Sequence, residues 1–154
     1  GAAQAKKLNN DDKLVYTLHG DGELQEGQVW EAFMYAAGKN VDNVIATIDY
    51  NGRQIDGDTD QVLPLGDLRA KLEAFGWIVL EEKDGNDLEK VIAILEEAKA
   101  FTGKGKPVSI LLHTEMGNGV DYMMGSHSWH GKAPNDEQLA SALEQNPETE
   151  LTDY

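Results

Sequence analysis

Two short segments combine flexible glycines with side chains that could bind a metal ion. The first is His19-Gly20-Asp21-Gly22-Glu23, in which two glycines flank an aspartate. Glycine lets the backbone turn sharply and approach a ligand closely, and a helix that follows such a turn offers free N–H groups to an anion. The carboxylate of Asp21 could hold a hard cation. A Gly-Asp-Gly sequence by itself is equally compatible with a plain turn between a strand and a helix.

The second segment is Asp49-Tyr50-Asn51-Gly52-Arg53-Gln54-Ile55-Asp56-Gly57, and its Asn51 lies thirty residues after Asp21. The amide oxygen of Asn51 and a backbone carbonyl of this loop are ligands that magnesium and calcium accept, with phosphate oxygens and water completing the shell. Asn51-Gly52 alone is also a favoured turn dipeptide. Interpretation as a site therefore depends on the two segments occurring together.

The third segment is Gly125-Ser126-His127-Ser128-Trp129-His130-Gly131-Lys132-Ala133-Pro134, in a region of little periodicity. Histidine can hydrogen-bond a phosphate or act as an acid or base near neutral pH. Without the other segments, His127 and His130 would be unremarkable residues of an irregular loop. His113 falls inside a predicted strand and is expected to be structural, whereas the role of His19 stays open.

Apolar patterning predicts strands at residues 14–18, 44–48, 77–80 and 108–113, and a glycine- and aspartate-rich loop at 51–60. Helices are predicted at 27–37 and 68–75, from residue 86, and from near Asn135 with Gln138 three residues later. Asn86 is expected to cap its helix with Glu89. The expected buried faces are Val29, Trp30, Phe33, Met34 and Ala37 in the first of these helices, and Leu88, Val91, Ile92 and Leu95 in the third.

Alternation of strands with helices predicts one domain over residues 1–154, of the α/β class. We expect a three-layer α/β/α fold with a mainly parallel sheet of at least four strands. Ligands bind such sheets at the carboxyl ends of the strands. The loops after the first two strands should therefore lie at the same edge.

Charge and composition limit the classes of partner. The net charge is −15, with 28 acidic against 13 basic residues, which disfavours binding to nucleic acid or to anionic lipid. No apolar run reaches the eighteen or so residues of a membrane span, and no basic-then-apolar leader opens the chain. The absence of cysteine excludes disulfides and thiolate metal sites and suits the cytoplasm. The acidic tail is expected to be frayed.

Considered together, the segments resemble a known family. Gly20-Asp21-Gly22, followed after twenty-eight residues by Asn51, is similar to the thiamine diphosphate motif. Two longer sequence stretches are similar to transketolases in particular. They are Gly-Asp-Gly-Glu-Leu-Gln-Glu-Gly-Gln-Val-Trp-Glu-Ala and Asn-Gly-Arg-Gln-Ile-Asp-Gly. His-Gly-Lys-Ala-Pro-Asn, from His130, resembles transketolases that are split into two chains. Tyr50 stands where the usual Asn-Asn pair has its first asparagine, a position at which transketolases commonly vary.

The resemblance implies a set of site residues, one position at a time. Asp21, the side chain of Asn51 and the backbone carbonyl of Arg53 would bind Mg²⁺ or Ca²⁺, which anchors the cofactor's diphosphate. The cofactor contacts would come from both loops and from the histidine segment: Gly20, Gly22 through its N–H group, Glu23, Ile55 against the rings, and His130.

Three residues of catalytic interest also follow from the resemblance. His130 would touch diphosphate and substrate, and His127 would face the active site as well. Glu26 falls where transketolases carry a glutamate that links the two active sites across a dimer interface. A carboxylate at a helix N-terminus is also favoured by the helix dipole, so Glu26 has a second explanation.

The implied activity is transfer of a two-carbon ketol unit from a ketose phosphate to an aldose phosphate. The resemblance covers essentially the whole chain, which would be part of a pyrophosphate-binding domain with further sequence before Gly1. The partner would be a pyrimidine-binding transketolase domain or C-terminal subunit, in a homodimer or heterotetramer. A glutamate of that partner would activate the cofactor.

Two alternatives stay open. The first is a different thiamine diphosphate enzyme subunit, similar to deoxyxylulose-phosphate synthase or to a 2-oxoacid dehydrogenase. The sequences of residues 127–134 and of Ile55-Asp56-Gly57 favour transketolase over both of these enzymes. The second is a truncated or diverged non-catalytic chain that only binds a partner. Retention of Asp21, Asn51 and His130 argues against divergence to a non-catalytic chain, though not against truncation.

Overall fold

The computed structural model describes residues 1–147 and gives a parallel sheet of four strands between layers of helices. The strands are β1 (Val15–Gly20), β2 (Val44–Tyr50), β3 (Arg53–Gln54), β4 (Gly57–Asp58), β5 (Ile78–Glu82) and β6 (Val108–His113). The sheet has the order β1-β2-β6-β5, and all three pairings are parallel. β3 and β4 form a small antiparallel ribbon within the segment that was predicted to be a loop.

Helices connect the strands. They are α1 (Ala2–Leu8), α2 (Gly27–Gly38), α3 (Thr59–Val62), α4 (Leu68–Ala74), α5 (Leu88–Phe101) and α6 (Asp136–Gln145). Short 3₁₀ turns occupy Gly22–Gln25 and His127–Trp129. Observed bounds of the predicted strands and helices differ from the expected ones by a few residues at most. Within residues 1–147, no helix combines the length and the apolar character needed to cross a membrane.

The apolar core lies on both faces of the sheet, which confirms the three-layer α/β/α prediction. On one face, Phe33 of α2 and Leu72 of α4 pack with Ala46 and Ile48 of β2. The opposite face is covered by α5, which buries Ile94 and Ala98 against Ile45, Val108 and Ile110. Each large side chain buried this way contributes roughly 1.5–3 kcal/mol of hydrophobic stabilisation. The central strands β2 and β6 are covered on both faces, as their continuous apolar sequences predict.

Two predictions about helix α5 are wrong. Its N-cap is Asp87, whose carboxylate accepts hydrogen bonds from the N–H groups of Glu89 and Lys90, whereas Asn86 accepts one from the N–H of Glu115. The helix turns Ile94 and Ala98 fully into the core, while Leu88 is 71% and Ile92 52% exposed. A helix packed on a sheet buries the residues that face the sheet, so apolar residues on its flank stay exposed.

In helix α2 as well, fewer apolar residues are buried than the sequence pattern predicts. Helix α6, in contrast, starts where it was predicted to start. Met34 of α2 is exposed, against expectation, while Val29, Phe33 and Ala36 are buried. At α6, which was predicted to start near Asn135, Asn135 and Gln138 form a capping box with bonds of 2.8 and 3.0 Å. The expectation of a frayed acidic tail falls mostly on residues 148–154, which lie outside the described residues.

Candidate functional site

An open cleft of about 800 Å³ lies at the carboxyl ends of β1 and β2. The two strands pair in register there, with Gly20 opposite Asp49. This arrangement brings the first two segments to the same edge of the sheet, as expected of parallel strands. The lining residues come from both segments, from the start of the following helices and from the histidine segment: Gly20, Asp21, Gly22, Glu23, Gln25, Glu26, Asp49, Asn51, Arg53, Gln54, Ile55, Asp56, Val62, Leu63 and His130.

Asp21 joins the two loops at the centre of this cleft. Its side chain accepts hydrogen bonds from the N–H of Gly22, at 2.7 Å, and from the N–H of Gly52, at 2.5 Å. Its own N–H donates to the carbonyl of Asp49. Gly52 has a φ of 72°, so the turn that presents its N–H to Asp21 needs a residue that tolerates the left-handed region. The N–H of Gly22, expected to donate to a diphosphate, donates to Asp21 here.

The electrostatic surroundings of Asp21 are unfavourable to its charge. The residue is only 1% exposed, and none of the ion pairs within residues 1–147 includes it. Burial raises the pKa of Asp21, and the nearby Asp49 carboxylate adds to that rise, against the opposing effect of the two backbone N–H donors. Burying a carboxylate that is not paired with a cation costs free energy, and a bound metal ion would offset that cost.

Asn51 also lines the cleft and is held by two hydrogen bonds. Its Oδ1 accepts from the N–H of Arg53, at 2.8 Å, and its Nδ2 donates to Oδ2 of Asp49, at 3.1 Å. An amide oxygen carries two lone pairs, so Oδ1 retains capacity for one further partner. Arg53 is fixed in turn, because its guanidinium pairs with Asp58 across the β3–β4 ribbon.

The donors gathered in the cleft fit a hard cation with a phosphate ligand. A carboxylate from Asp21, an amide oxygen from Asn51 and the carbonyl of Arg53 are all oxygen donors, which Mg²⁺ and Ca²⁺ prefer. Residues 1–147 contain no group of three or more His, Cys, Asp or Glu placed to hold a metal, so any ion here would take part of its shell from other oxygens. Gln54 adds a buried Oε1 without a hydrogen-bond partner in this region. A Cβ at Gly22 would lie 3.0 Å from Cβ of Gln54, so a larger residue there would force Gln54 to shift by a few tenths of an ångström.

The two histidines of the third segment have different positions. His130 lines the cleft, whereas His127 lies in the adjoining 3₁₀ turn and is not among the lining residues. The N–H of His130 donates to the carbonyl of His127, at 2.9 Å, so their backbones are tied together. Ile55 approaches this segment and is 65% exposed, which leaves its side chain free to contact a ligand.

Glu26 and Glu23 stand at the start of α2 and beside β1. Glu26 occupies the N-cap position of α2, and its side chain makes no capping hydrogen bond. Glu23 accepts from the N–H of Gly20, at 3.3 Å, and contacts Nδ1 of His19, at 3.2 Å. His19 thereby supports the end of β1, with its Nε2 3.0 Å from Oγ1 of Thr17.

His113 lies away from the cleft lining and contacts structural partners. Its Nε2 is 2.6 Å from Oε1 of Glu81, and its ring packs 5.1 Å from that of Tyr50. Hydrogen bonds from Lys83 and His113 lower the pKa of Glu81 to about 2. These contacts are those of a residue that holds β5 and β6 together, in line with the structural role expected from the sequence.

Sequence reasoning gave no role to Asp49, which lines the cleft, or to Thr114, which contacts Asp49 from outside the lining. Asp49 contacts both Asp21 and Asn51, and Thr114 donates its hydroxyl hydrogen to the Asp49 carboxylate. Asp49 carries a signal, because it is an acidic residue near the end of a mostly apolar strand, two positions before Asn51. Thr114 carries none, since its sequence separation from Asp49 is 65 residues and only the β2–β6 pairing brings them together.

A family model for the transketolase thiamine diphosphate binding domain matches residues 2–149. The chain belongs to the transketolase family. This confirms the resemblance seen in the sequence and relates the cleft to the cofactor-binding domain of these enzymes. The fold agrees, since the transketolase of Campylobacter jejuni superposes with a TM-score of 0.81 at 34% identity, covering 94% of this chain and 22% of that one.

Curated transketolase relatives are similar over most of this chain. The 6-deoxy-6-sulfo-D-fructose transketolase subunit SqwG of a Clostridium species is 39% identical, over 93% of this chain and 51% of the relative. An apulose-4-phosphate transketolase subunit of Phocaeicola vulgatus is 40% identical, over 93% of this chain and 50% of the relative. The chain thus spans about half the length of these curated relatives.

Proposed function

We propose that this chain anchors the diphosphate of thiamine diphosphate, through a divalent cation, in an enzyme that transfers ketol groups between sugar phosphates. The observation that carries the proposal is the cluster at the carboxyl ends of β1 and β2. There Asp21 and Asn51 line the same cleft, and the buried carboxylate of Asp21 accepts the N–H of Gly52, directly after Asn51. None of the ion pairs within residues 1–147 includes Asp21. Membership in the family supports the binding of thiamine diphosphate, and the oxygen donors of the cleft support the binding of a divalent metal ion.

Each residue of the cleft has a defined part in this proposal. Asp21, Asn51 and the carbonyl of Arg53 hold Mg²⁺ or Ca²⁺, which neutralises the diphosphate in a strongly acidic chain. Ile55 packs against the cofactor's rings, and its exposure leaves it free to do so. His130 donates a hydrogen bond to phosphate or substrate from the wall of the cleft.

The chemistry of ketol transfer needs groups beyond these residues. When bound, thiamine diphosphate supplies the nucleophilic carbon and the electron sink for two-carbon transfer. We assign activation of the cofactor to a carboxylate of a pyrimidine-binding domain or C-terminal subunit, within a homodimer or heterotetramer. The names of two relatives as subunits support a partner chain. We assign the contact with that partner to Glu26, whose side chain makes no capping hydrogen bond at the N-terminus of α2.

The test is cofactor binding in the full-length protein with its partner chain. Asp21→Ala removes the charged ligand, so we expect the affinity for thiamine diphosphate at limiting magnesium to fall more than about 100-fold, beyond the usual effect of outer-shell changes. Glu97→Ala, on the exposed face of α5, is the matched control and should leave the affinity unchanged. Equal affinity of the wild type and Asp21→Ala would contradict the proposal.

A further inference from the structure

Asp49 connects three segments of the cleft. Its backbone carbonyl accepts from the N–H of Asp21, at 3.2 Å, and its Oδ2 accepts from Nδ2 of Asn51, at 3.1 Å. Its Oδ1 accepts from the hydroxyl of Thr114, the residue directly after β6. One side chain at the end of β2 therefore touches the loop that carries the amide oxygen and the loop that follows the neighbouring strand.

The bond from Nδ2 of Asn51 to Asp49 acts together with the bond that Oδ1 accepts from the N–H of Arg53 to set the orientation of the Asn51 amide. An amide can rotate by half a turn and exchange its oxygen and nitrogen, but only the oxygen can bind a cation. An ionised carboxylate accepts hydrogen bonds and donates none, so Asp49 binds the NH₂ end of Asn51 and rejects the oxygen end. Thr114 occupies the other carboxylate oxygen, which fixes the carboxylate in turn.

We propose that Asp49, held by Thr114, is a positioning residue that keeps the oxygen of Asn51 turned toward the metal. The inference rests on the proposed function, because it takes Asn51 to be a metal ligand. Hydrogen-bonded groups behind a metal ligand commonly change metal affinity by about 10–100-fold when they are removed. Asp49 would thus change the affinity for the metal by orienting Asn51, without contacting the metal itself.

The first readout is the magnesium dependence of thiamine diphosphate binding, measured by calorimetry on the full-length protein with its partner chain. Asp49→Asn keeps the size of the side chain but accepts either orientation of the Asn51 amide. We expect the magnesium concentration at half-saturation to rise about tenfold. Thr114→Val removes the hydroxyl without changing charge, and we expect a rise of about threefold, because the carboxylate is loosened but kept.

Two matched controls separate positioning from a loss of stability. Asp42→Asn changes a buried aspartate at the opposite end of β2, and Thr102→Val removes a hydroxyl that donates to the carbonyl of Lys99. Neither should change the magnesium half-saturation. The melting temperature of the metal-free protein should fall no more in Asp49→Asn than in Asp42→Asn.

The decisive step repeats Asp49→Asn in an Asn51→Asp background. A carboxylate at position 51 has oxygen at both ends, so its orientation no longer matters, and Asp49→Asn also relieves repulsion between two adjacent carboxylates. We expect Asp49→Asn to weaken magnesium binding in the wild-type background but to strengthen it, or leave it unchanged, in the Asn51→Asp background. A loss of charge or of packing alone would weaken binding by similar factors in both backgrounds.

The outcomes distinguish this inference from the function on which it rests. If Asp21→Ala abolishes magnesium-dependent binding while Asp49→Asn and Thr114→Val have no effect, the metal anchor stands and the positioning role is wrong. Equal losses in both backgrounds would also overturn it. Should Asp49→Asn fail to fold, Thr114→Val decides, with an unchanged half-saturation counting against the inference. Unchanged binding in Asp21→Ala would instead overturn the proposed function itself.

Discussion

Two buried aspartates at opposite ends of the sheet have very different surroundings. Asp42, just before β2, pairs with the ammonium of Lys7 and accepts a hydrogen bond from the N–H of Gly105, at 2.8 Å. Asp21, just after β1, accepts two backbone N–H bonds and has the carboxylate of Asp49 as its charged neighbour. Asp42 is 9% exposed, so both residues are largely removed from water.

Their pKa values move in opposite directions for this reason. Burial alone would raise the pKa of Asp42, but the Lys7 ammonium and the Gly105 N–H outweigh it and the pKa is lowered. At Asp21, burial outweighs the backbone donors and the pKa is raised. A buried charge that the chain compensates by itself serves the fold. Asp21 has no cationic partner within residues 1–147, which supports the proposal that a bound metal ion compensates its charge.

Among the changes that test this comparison of the two aspartates, we expect the largest loss of stability at Asp42. Asp42→Asn removes the charge that pairs with Lys7, so we expect the free energy of unfolding to fall by about 2 kcal/mol near neutral pH, the scale of a hydrogen-bonded charged group. Chemical denaturation of the full-length protein measures this. Affinity for thiamine diphosphate should be unchanged, and a loss of affinity comparable to that of Asp21→Ala would break the contrast.

The pH dependence of this difference follows from the direction of the pKa shift. Because folding lowers the pKa of Asp42, its contribution is present above the ordinary aspartate value of 3.8 and is lost as the pH falls through the folded-state pKa. The stabilities of wild type and Asp42→Asn should therefore converge in acid. A difference that stays constant down to about pH 2, well below the ordinary aspartate pKa, would show that Asp42 acts through packing and not through charge.

A smaller effect is expected at the histidines. We predict that His130→Ala lowers turnover or cofactor affinity at least about tenfold, a loss of roughly 1.4 kcal/mol in the affected step. His113→Ala is the matched control, because neither His113 nor its partners Glu81 and Tyr50 line the cleft, and it should act through stability. A catalytic defect in His113→Ala with a neutral His130→Ala, both at saturating cofactor, would contradict the assignment of the cleft.

Much of the fold could be predicted from the sequence because its strands are short apolar runs between turn residues. β2 and β6 were located almost to the residue, since both are buried on two faces. The buried side of α5 was predicted wrongly at Leu88 and Ile92. The apolar pattern of a helix does not show which of its apolar residues the sheet will cover. The cap at Asp87 was missed because Asn86 offers the same chemistry one residue earlier.

The site shows a similar division. Asp21 and Asn51 could be found from local motifs, and parallel pairing of β1 and β2 brings them to one cleft. Contacts between distant segments could not be found this way, since Thr114 reaches Asp49 only through the pairing of β2 with β6. The placement of His130 on the cleft wall, but not His127, likewise depends on the 3₁₀ turn between them.

The most direct test of the metal-anchored diphosphate is a crystal structure of the full-length protein with its partner chain, thiamine diphosphate and Mn²⁺. Manganese accepts the same oxygen ligands as magnesium and can be located by its anomalous scattering. We expect one manganese peak within coordination distance of Asp21, Asn51 and the carbonyl of Arg53, with the diphosphate completing its shell. A metal and diphosphate bound elsewhere, with Asp21 contacting neither, would contradict the central claim.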